Sequence, residues 1–160
     1  MMYYRYMDSP VGRLLVAGDD GGLCRIHFPK GNRPDLPESH WVEARKPLEE
    51  TVLQLKAYFA GKLKIFFLNM RLDVSPFQKK VLTALQQIPY GETTSYGEVA
   101  EKIGNSFASR AVGQANTRNP IPIVIPCHRV VGSNGTLTGF GGGLEVKQAL
   151  LDLEQRYRQR

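Results

Sequence analysis

The sequence predicts a mixed α/β (α+β) protein in two parts, an antiparallel sheet with one helix and then a mostly helical region. Three observations predict this fold class. Short runs rich in β-branched and aromatic residues, joined by glycine and aspartate turns, fill roughly the first 30 residues. Capped amphipathic segments dominate after residue 75. A hydrophobic fraction of 42% over 160 residues is enough for an ordinary packed core.

Three strands and one helix are expected in the first part. MYYRYM (2–7), RLLVA (13–17) and LCRIHF (23–28) are typical of strands, and the GDDGG between the last two suits a hairpin turn. A helix fits 47–61, since Pro47 lies near its start, apolar residues recur on one side, and Gly61 ends it. KIFFLNMRLDV (64–74) returns to strand-like composition, which predicts a further strand.

Two capping patterns predict helices in the second part. Ser75 precedes Pro76 at the first helical position, and Gln78 follows at the third, which is the pattern of a capping box. Ser95 and Glu98 repeat the pattern. We therefore expect one helix to begin after each serine.

A turn at 104–105 separates two short helical segments, which is the outline of a helix-turn-helix. A last amphipathic helix is expected from Leu144, with Val146, Leu150, Leu153 and Tyr157 at helical spacing. We place a domain boundary at residues 73–74, giving a structural N-terminal domain over 1–73 and a functional C-terminal domain over 74–160.

Composition narrows the class of protein. No stretch approaches the roughly 18 apolar residues of a membrane span, and the first ten residues lack the basic and apolar regions of a signal peptide, so a cytoplasmic protein is expected. Two cysteines and three scattered histidines are poor material for a disulfide framework or a closed zinc site, so no metal is expected. The net charge of +6 is compatible with a nucleic-acid partner.

IPIVIPCHRVVG (121–132) places a potential nucleophile inside an apolar run. Cys127 needs a nearby base or positive charge to form a thiolate, and His128 and Arg129 are the candidates. In a regular strand neighbouring side chains point to opposite faces, so a turn or a water must connect Cys127 to His128. The prolines at 120, 122 and 126 favour such an irregular loop. A buried structural cysteine remains the alternative at this point.

Three strings in the C-terminal half together resemble the O6-alkylguanine-DNA alkyltransferases, DNA repair proteins that act once. They are FQKKVLTALQQIPYGETTSYGEVAEKIG, ASRAVGQAN and NPIPIVIPCHRVVGSNGTLTGFGGGLEVKQALL, which follow the family's spacing over residues 77–154. PCHRV in that setting is highly specific, whereas SPVGRLLVAGDDGGL and QLKAYFAGK are weaker N-terminal matches. The resemblance implies an RNase H-like N-terminal domain and a helix-turn-helix, of the winged kind, in the C-terminal domain.

The resemblance also implies the reaction. An alkyl group, above all methyl, moves from O6 of guanine, and from O4 of thymine, in double-stranded DNA to a cysteine of the protein itself. The protein is then spent, because a thioether carbon has no good leaving group. No cofactor is required, and the partner is duplex DNA containing alkylated guanine, bound by a monomer.

Catalytic roles are carried over by position. Cys127 falls on the acceptor cysteine, and His128 on the histidine expected to deprotonate it through a water. Glu154 falls where a glutamate orients that histidine, which completes a chain of nucleophile, base and orienter. Asn119 matches a hinge asparagine of the active-site loop. Tyr96 matches a tyrosine that helps to rotate the base and donates a proton to the leaving guanine.

A base inside a duplex cannot reach a cysteine in a cleft, so the target nucleotide must leave the stack. Arg110 matches the arginine finger that fills the vacated space, and the helix that carries it is expected in the minor groove. The DNA-binding residues implied with Arg110 are Tyr96, Ala111, Gly113, Ala115, Asn116 and Arg118.

The implied substrate pocket departs from the family pattern at two positions. Phe140 stands where many members carry tyrosine, so an apolar wall replaces a hydroxyl. Gly141 stands where some members have serine, which leaves its backbone N–H as the donor to guanine O6. Gly142, Val130 and Pro122 complete the pocket. We expect methyl transfer to survive both departures.

Two other functions remain open from the sequence. A lesion-binding or signalling protein would recognise alkylguanine without removing the alkyl group, but such relatives replace the acceptor cysteine that this chain keeps at Cys127. A thiol hydrolase built on Cys127 and His128 would turn over many times and would need an oxyanion hole.

Overall fold

A computed structural model of the chain describes residues 1–32 and 35–159. The first strands, β1 (Tyr3–Met7), β2 (Leu14–Asp19) and β3 (Gly22–His27), form an antiparallel meander. β4 (Val42–Glu43) pairs in parallel with β1, so the order in the sheet is β3-β2-β1-β4. Residues 14–18 of β2 are buried, as expected for a central strand. The predicted strands and hairpin are confirmed.

α1 (Glu49–Phe59) follows a 3₁₀ turn over Lys46–Leu48 and packs into the same core as the sheet. Gly61 follows the helix with a φ of 75°, the left-handed conformation that glycine adopts without strain. The predicted helix and its end are therefore confirmed. Buried residues on this segment recur at helical spacing: Leu48, Val52, Leu55 and Tyr58.

The strand predicted over residues 64–74 is wrong. This segment is extended, but it pairs with β3 only around Leu23, whose N–H donates to the Asn69 carbonyl at 2.9 Å and whose carbonyl accepts from the Arg71 N–H at 2.9 Å. Earlier in the segment, the side chain of Gln54 in α1 satisfies both backbone groups of Phe67, at 2.9 and 3.0 Å. Side chains and an isolated bridge thus replace a strand ladder, although the alternating burial of a strand persists.

The C-terminal part is helical, as predicted. α2 (Pro76–Leu85), α3 (Tyr96–Lys102) and α4 (Ser109–Thr117) pack on one another, and α3 and α4 form the predicted helix-turn-helix. α5 (Leu144–Tyr157) closes the chain and buries Leu150.

Both predicted serine caps are present. The Ser75 Oγ accepts from the Gln78 N–H, and the Ser95 Oγ accepts from the Glu98 N–H, each at 3.1 Å. In the second capping box the two residues bond in both directions, because the Ser95 hydroxyl also donates to the Glu98 carboxylate at 3.2 Å. In the first, the Gln78 amide instead donates to the Arg118 carbonyl at 3.2 Å, which ties α2 to the end of α4.

The two parts of the chain share one core and are tied by backbone contacts. The Ile26 N–H in β3 donates to the Pro120 carbonyl at 3.0 Å, which fixes the sheet against the loop that follows α4. β5 (Thr94–Ser95) pairs in parallel with β6 (Val130–Val131), directly after the cysteine of interest. Across residues 1–32 and 35–159, none of the helices is both long and apolar enough to span a bilayer.

Candidate active site

A constrained loop and a 3₁₀ turn present Cys127. Ile123 has a φ of 74°, a left-handed conformation that is strained for a β-branched residue. The following turn spans Cys127–Arg129, so successive side chains diverge by about 120° instead of the 180° of a strand. The irregularity expected from the prolines is therefore present, and Cys127 and His128 are not on opposite faces of a strand.

Two asparagines hold this loop from within. The Asn119 amide donates to the Ile125 carbonyl at 2.8 Å, and its Oδ1 accepts from the Ile121 N–H at 3.0 Å. The Asn116 amide donates to the carbonyl of Cys127 at 3.2 Å. Asn119 thus occupies the position expected of a loop hinge. Asn116 is 1% exposed, which corrects the prediction that it contacts DNA, since it supports the cysteine loop from α4.

Glu154 is the centre of a buried polar cluster. One of its oxygens lies 2.6 Å from His128 Nε2 and accepts from the Tyr58 hydroxyl at 2.7 Å. The Arg129 guanidinium donates to both oxygens, at 2.8 and 3.0 Å. The Gly91 N–H donates to the carboxylate at 3.1 Å. The predicted pairing of Glu154 with His128 is present, but four groups share the carboxylate.

The charges in this cluster define the histidine tautomer. Burial alone would raise the pKa of Glu154, but hydrogen bonds from His128 and Arg129, together with the positive charge of Arg129, outweigh it and hold that pKa far below its usual range. Burial lowers the pKa of His128, although Glu154 opposes this. At neutral pH a neutral imidazole donates from Nε2 to the carboxylate, so Nδ1 carries a lone pair. Among the described residues, nothing hydrogen-bonds to this buried Nδ1.

The thiol of Cys127 is protonated in the resting protein. Burial raises its pKa to about 11, against smaller lowering effects of the Asn119 side chain and the ammonium of Lys147. A thiol with that pKa is ionised in roughly one molecule in 10,000 at pH 7. The thiolate therefore forms only when a base accepts the thiol proton. Until then the protonated thiol is a poor nucleophile, which protects it from side reactions.

Lys147 is a site residue that sequence reasoning missed. It is fully buried, and its ammonium donates to the Val130 carbonyl at 2.6 Å and to the Thr138 carbonyl at 2.8 Å. Burial lowers its pKa to about 8, and the nearby Cys127 opposes this. A weak signal was available, because 147, 150 and 154 share the i, i+3, i+7 spacing of one buried helix face.

We predict that Cys127 alkylation by iodoacetamide in the DNA-free protein accelerates about tenfold per pH unit between pH 7 and 9, because the thiolate fraction follows a pKa of about 11. Peptide mass mapping at each pH would measure the rate and separate Cys127 from Cys24. A rate that is flat over this range would mean a resting thiolate–imidazolium pair, contrary to the prediction.

Cys127 lies in a narrow cleft of about 310 Å³. Four of the five predicted pocket residues line it: Pro122, Phe140, Gly141 and Gly142. Val130 is not among the residues that line the cleft, which corrects that prediction; it is buried in β6, where its carbonyl accepts from Lys147. The N-terminal part also contributes to the lining, although sequence reasoning gave it only a structural role; these residues are Ile26, His27, Phe28, Gly31 and Asn32.

A wider groove of about 1170 Å³ adjoins the cleft, since Asn32 and Thr117 line both. Arg110 and Gly113 on α4, and Arg118 directly after it, line the groove. Ala111, next to Arg110, is exposed.

Ala115 is 7% exposed and belongs to the hydrophobic core, so the prediction that it contacts DNA is corrected. The helix period explains this: Arg110, Gly113 and Arg118 share one side of α4, whereas Val112 and Ala115 share the other.

Tyr96 forms another part of the groove wall. Its hydroxyl accepts from the Thr138 hydroxyl at 2.9 Å, and Lys147 holds the carbonyl of the same threonine from inside. Thr138, in the loop before α5, thus connects Tyr96 to the buried Lys147. The cleft, the groove and the cluster around Glu154 meet at the end of α4 and the cysteine loop.

Comparison with known proteins agrees with this architecture. A family model described as 6-O-methylguanine DNA methyltransferase, DNA binding domain, matches residues 76–156. A second model, the ribonuclease-like domain of the same methyltransferase, matches residues 2–72.

Relatives match the chain over nearly its whole length. A methylated-DNA–protein-cysteine methyltransferase of Methanosarcina acetivorans is 53% identical over 154 residues, which are 96% of this chain and 98% of the relative. A protein of the same name from Mycolicibacterium paratuberculosis is 50% identical over 157 residues, or 98% and 94% of the two chains.

Solved structures match the fold. The Mycobacterium tuberculosis protein OGT in complex with DNA is 46% identical, with a TM-score of 0.90 over 97% of this chain and 94% of that one. O6-methylguanine-DNA methyltransferase from Pyrococcus kodakaraensis is 27% identical, with a TM-score of 0.65 over 96% and 99%. The two domain models and these full-length matches show that the chain belongs to the 6-O-methylguanine DNA methyltransferase family.

Proposed function

We propose that this protein repairs DNA by moving the methyl group of O6-methylguanine in a duplex onto the sulfur of its own Cys127, once per molecule. The observation that supports this most is a buried thiol in a cleft beside a groove lined by α4, where the imidazole of the next residue, His128, is held by the carboxylate of Glu154. The relatives carry the name of this activity, and one solved relative binds DNA. A mass measurement after mixing with methylated duplex tests the proposal.

Methyl transfer consists of proton removal from the Cys127 thiol and displacement at the methyl carbon. Nδ1 of His128 accepts the thiol proton, directly or through a water, while Glu154 holds Nε2 and stabilises the imidazolium. The Cys127 sulfur attacks the methyl carbon, an S–C bond forms, and the C–O6 bond breaks. Its electron pair leaves on the guanine, which takes a proton from Tyr96, and the proton held by the His128 imidazolium then returns through water to the tyrosinate, so both side chains end neutral. Restored guanine and S-methylcysteine are the products, and the thioether is not reversed.

The target nucleotide leaves the stack to reach the cleft. Arg110 at the N-terminal end of α4 fills the gap, while Gly113 and Ala111 allow the helix close to the minor groove. Arg118 contacts the backbone, so binding weakens with salt. O4-alkylthymine carries the same alkyl–oxygen bond beside a ring nitrogen and is a second substrate.

The two domains meet at residues 73–74. The protein acts as a monomer on genomic DNA in the cytoplasm, at the nucleoid in a prokaryote. Asn119 and Asn116 keep the cysteine loop in place, and Phe140, Gly141, Gly142 and Pro122 surround the alkyl group.

The variant Arg110→Ala is predicted to slow methyl transfer from duplex DNA by about ten- to hundredfold, because the side chain offsets part of the few kcal/mol needed to unstack a base. Single-turnover rates with the lesion in a duplex and in a single strand would measure this. The single strand needs no gap filler, so its rate should change less. Arg156→Ala, at the exposed end of α5, is the matched control. Equal losses on both substrates would contradict a role in extrusion.

A further inference from the structure

The N-terminal part closes one side of the cleft that holds Cys127. Phe28 follows β3 and is 3% exposed, and its ring lies against Phe140 with centroids 5.7 Å apart at an angle of 53°. Gly142 lies between the two rings: a Cβ atom there would be 2.5 Å from Phe28 and 2.7 Å from Phe140. An aromatic pair, with one ring from each part of the chain, therefore bounds the cleft.

This wall is fixed in place by hydrogen bonds on both sides of Phe28. Before it, the Ile26 N–H donates to the Pro120 carbonyl at 3.0 Å. After it, the Asn32 N–H donates to the Gly141 carbonyl at 2.5 Å, and the Asn32 amide donates to the Thr117 carbonyl at 3.3 Å. These contacts fix the backbone on both sides of Phe28, and burial against Phe140 holds its ring, so the space at Cys127 has a definite limit.

We propose that Phe28 is a specificity-determining residue that sets the largest alkyl group this protein accepts. The proposal rests on the proposed function and adds an N-terminal residue to the pocket. A methyl group needs little room, whereas a benzyl group carries a phenyl ring of the same size as the Phe28 side chain. Removing that side chain leaves a space of matching shape, because apolar cavities in packed interiors are only partly filled by relaxation.

The experiment compares single-turnover transfer from duplexes containing O6-methylguanine and O6-benzylguanine. Phe28→Ala should raise the ratio of benzyl to methyl rates by on the order of tenfold, the discrimination that a few methylenes provide in an apolar pocket. Phe28→Leu should give a smaller increase, and Phe28→Trp should lower the ratio. The ratio does not depend on how much protein is folded, because both substrates report on the same active molecules.

Leu48→Ala is the matched control, since Leu48 is as buried as Phe28 in the N-terminal core but does not line the cleft. Its ratio should equal that of the unmodified protein. If Phe28→Ala does not fold, Phe28→Leu decides the matter, and a ratio equal to that of Leu48→Ala would overturn the proposal. Absence of methyl transfer by the unmodified protein would instead refute the proposed function.

Discussion

Mixing the protein with excess duplex containing O6-methylguanine is expected to add one methyl group per molecule, on Cys127, and then to stop. Cys127 is the thiol in the cleft beside α4, whereas Cys24 is buried in β3 within the sheet. Intact mass would give the stoichiometry, and peptide mapping would give the position. The reaction should stop at one equivalent because S-methylcysteine offers no leaving group for regeneration.

Two variants make this result specific. Cys127→Ala should abolish transfer while keeping DNA binding, since the groove side of α4 is unchanged. Cys24→Ala is the matched control and should transfer one methyl group as the unmodified protein does. Binding without any mass gain, with Cys127 shown to be reduced, would refute transfer and favour a lesion-binding protein. More than one restored guanine per molecule would favour a turning-over enzyme.

The sequence was most informative where one local rule decides the structure. Ser75 and Ser95 begin helices because a hydroxyl can satisfy a free N–H, and Gly61 ends one because it adopts a positive φ. The strand predicted over residues 64–74 is absent because strand-like composition reflects alternating burial of side chains. It does not show which backbone partner is available. There the partner is the side chain of Gln54 on another element.

The site was predictable only in part for a similar reason. Cys127, His128 and Glu154 were found through a resemblance that fixes their register, and the structure brings His128 and Glu154 together. Lys147 was missed because a charged residue on a helix is ordinarily solvated, and only the fold shows carbonyls around its ammonium. Asn116 was placed on the wrong side of α4 because a motif gives position without burial.

The variant Glu154→Gln is expected to destabilise the fold by about 3–5 kcal/mol, the usual result of removing one partner of a buried ion pair. The carboxylate accepts from Arg129, Tyr58 and Gly91 and holds His128, and an amide can accept through one oxygen only. Arg129 would then be left buried without a counter-charge. Urea unfolding of both proteins at pH 7 would measure the loss, and methyl transfer by the folded fraction should also slow.

The pH dependence distinguishes this cause from a packing defect. The folded pKa of Glu154 lies below its unfolded value of about 4.3, so the unfolded state binds more protons as the pH falls, and the stabilising contribution is present above that value and lost below it. The stability gap between the two proteins should therefore shrink as the pH drops below about 4. Asp152→Asn, an exposed carboxylate on the same helix, should stay within about 0.5 kcal/mol of the unmodified protein. A gap that is constant with pH would mean that shape, not charge, makes Glu154 necessary.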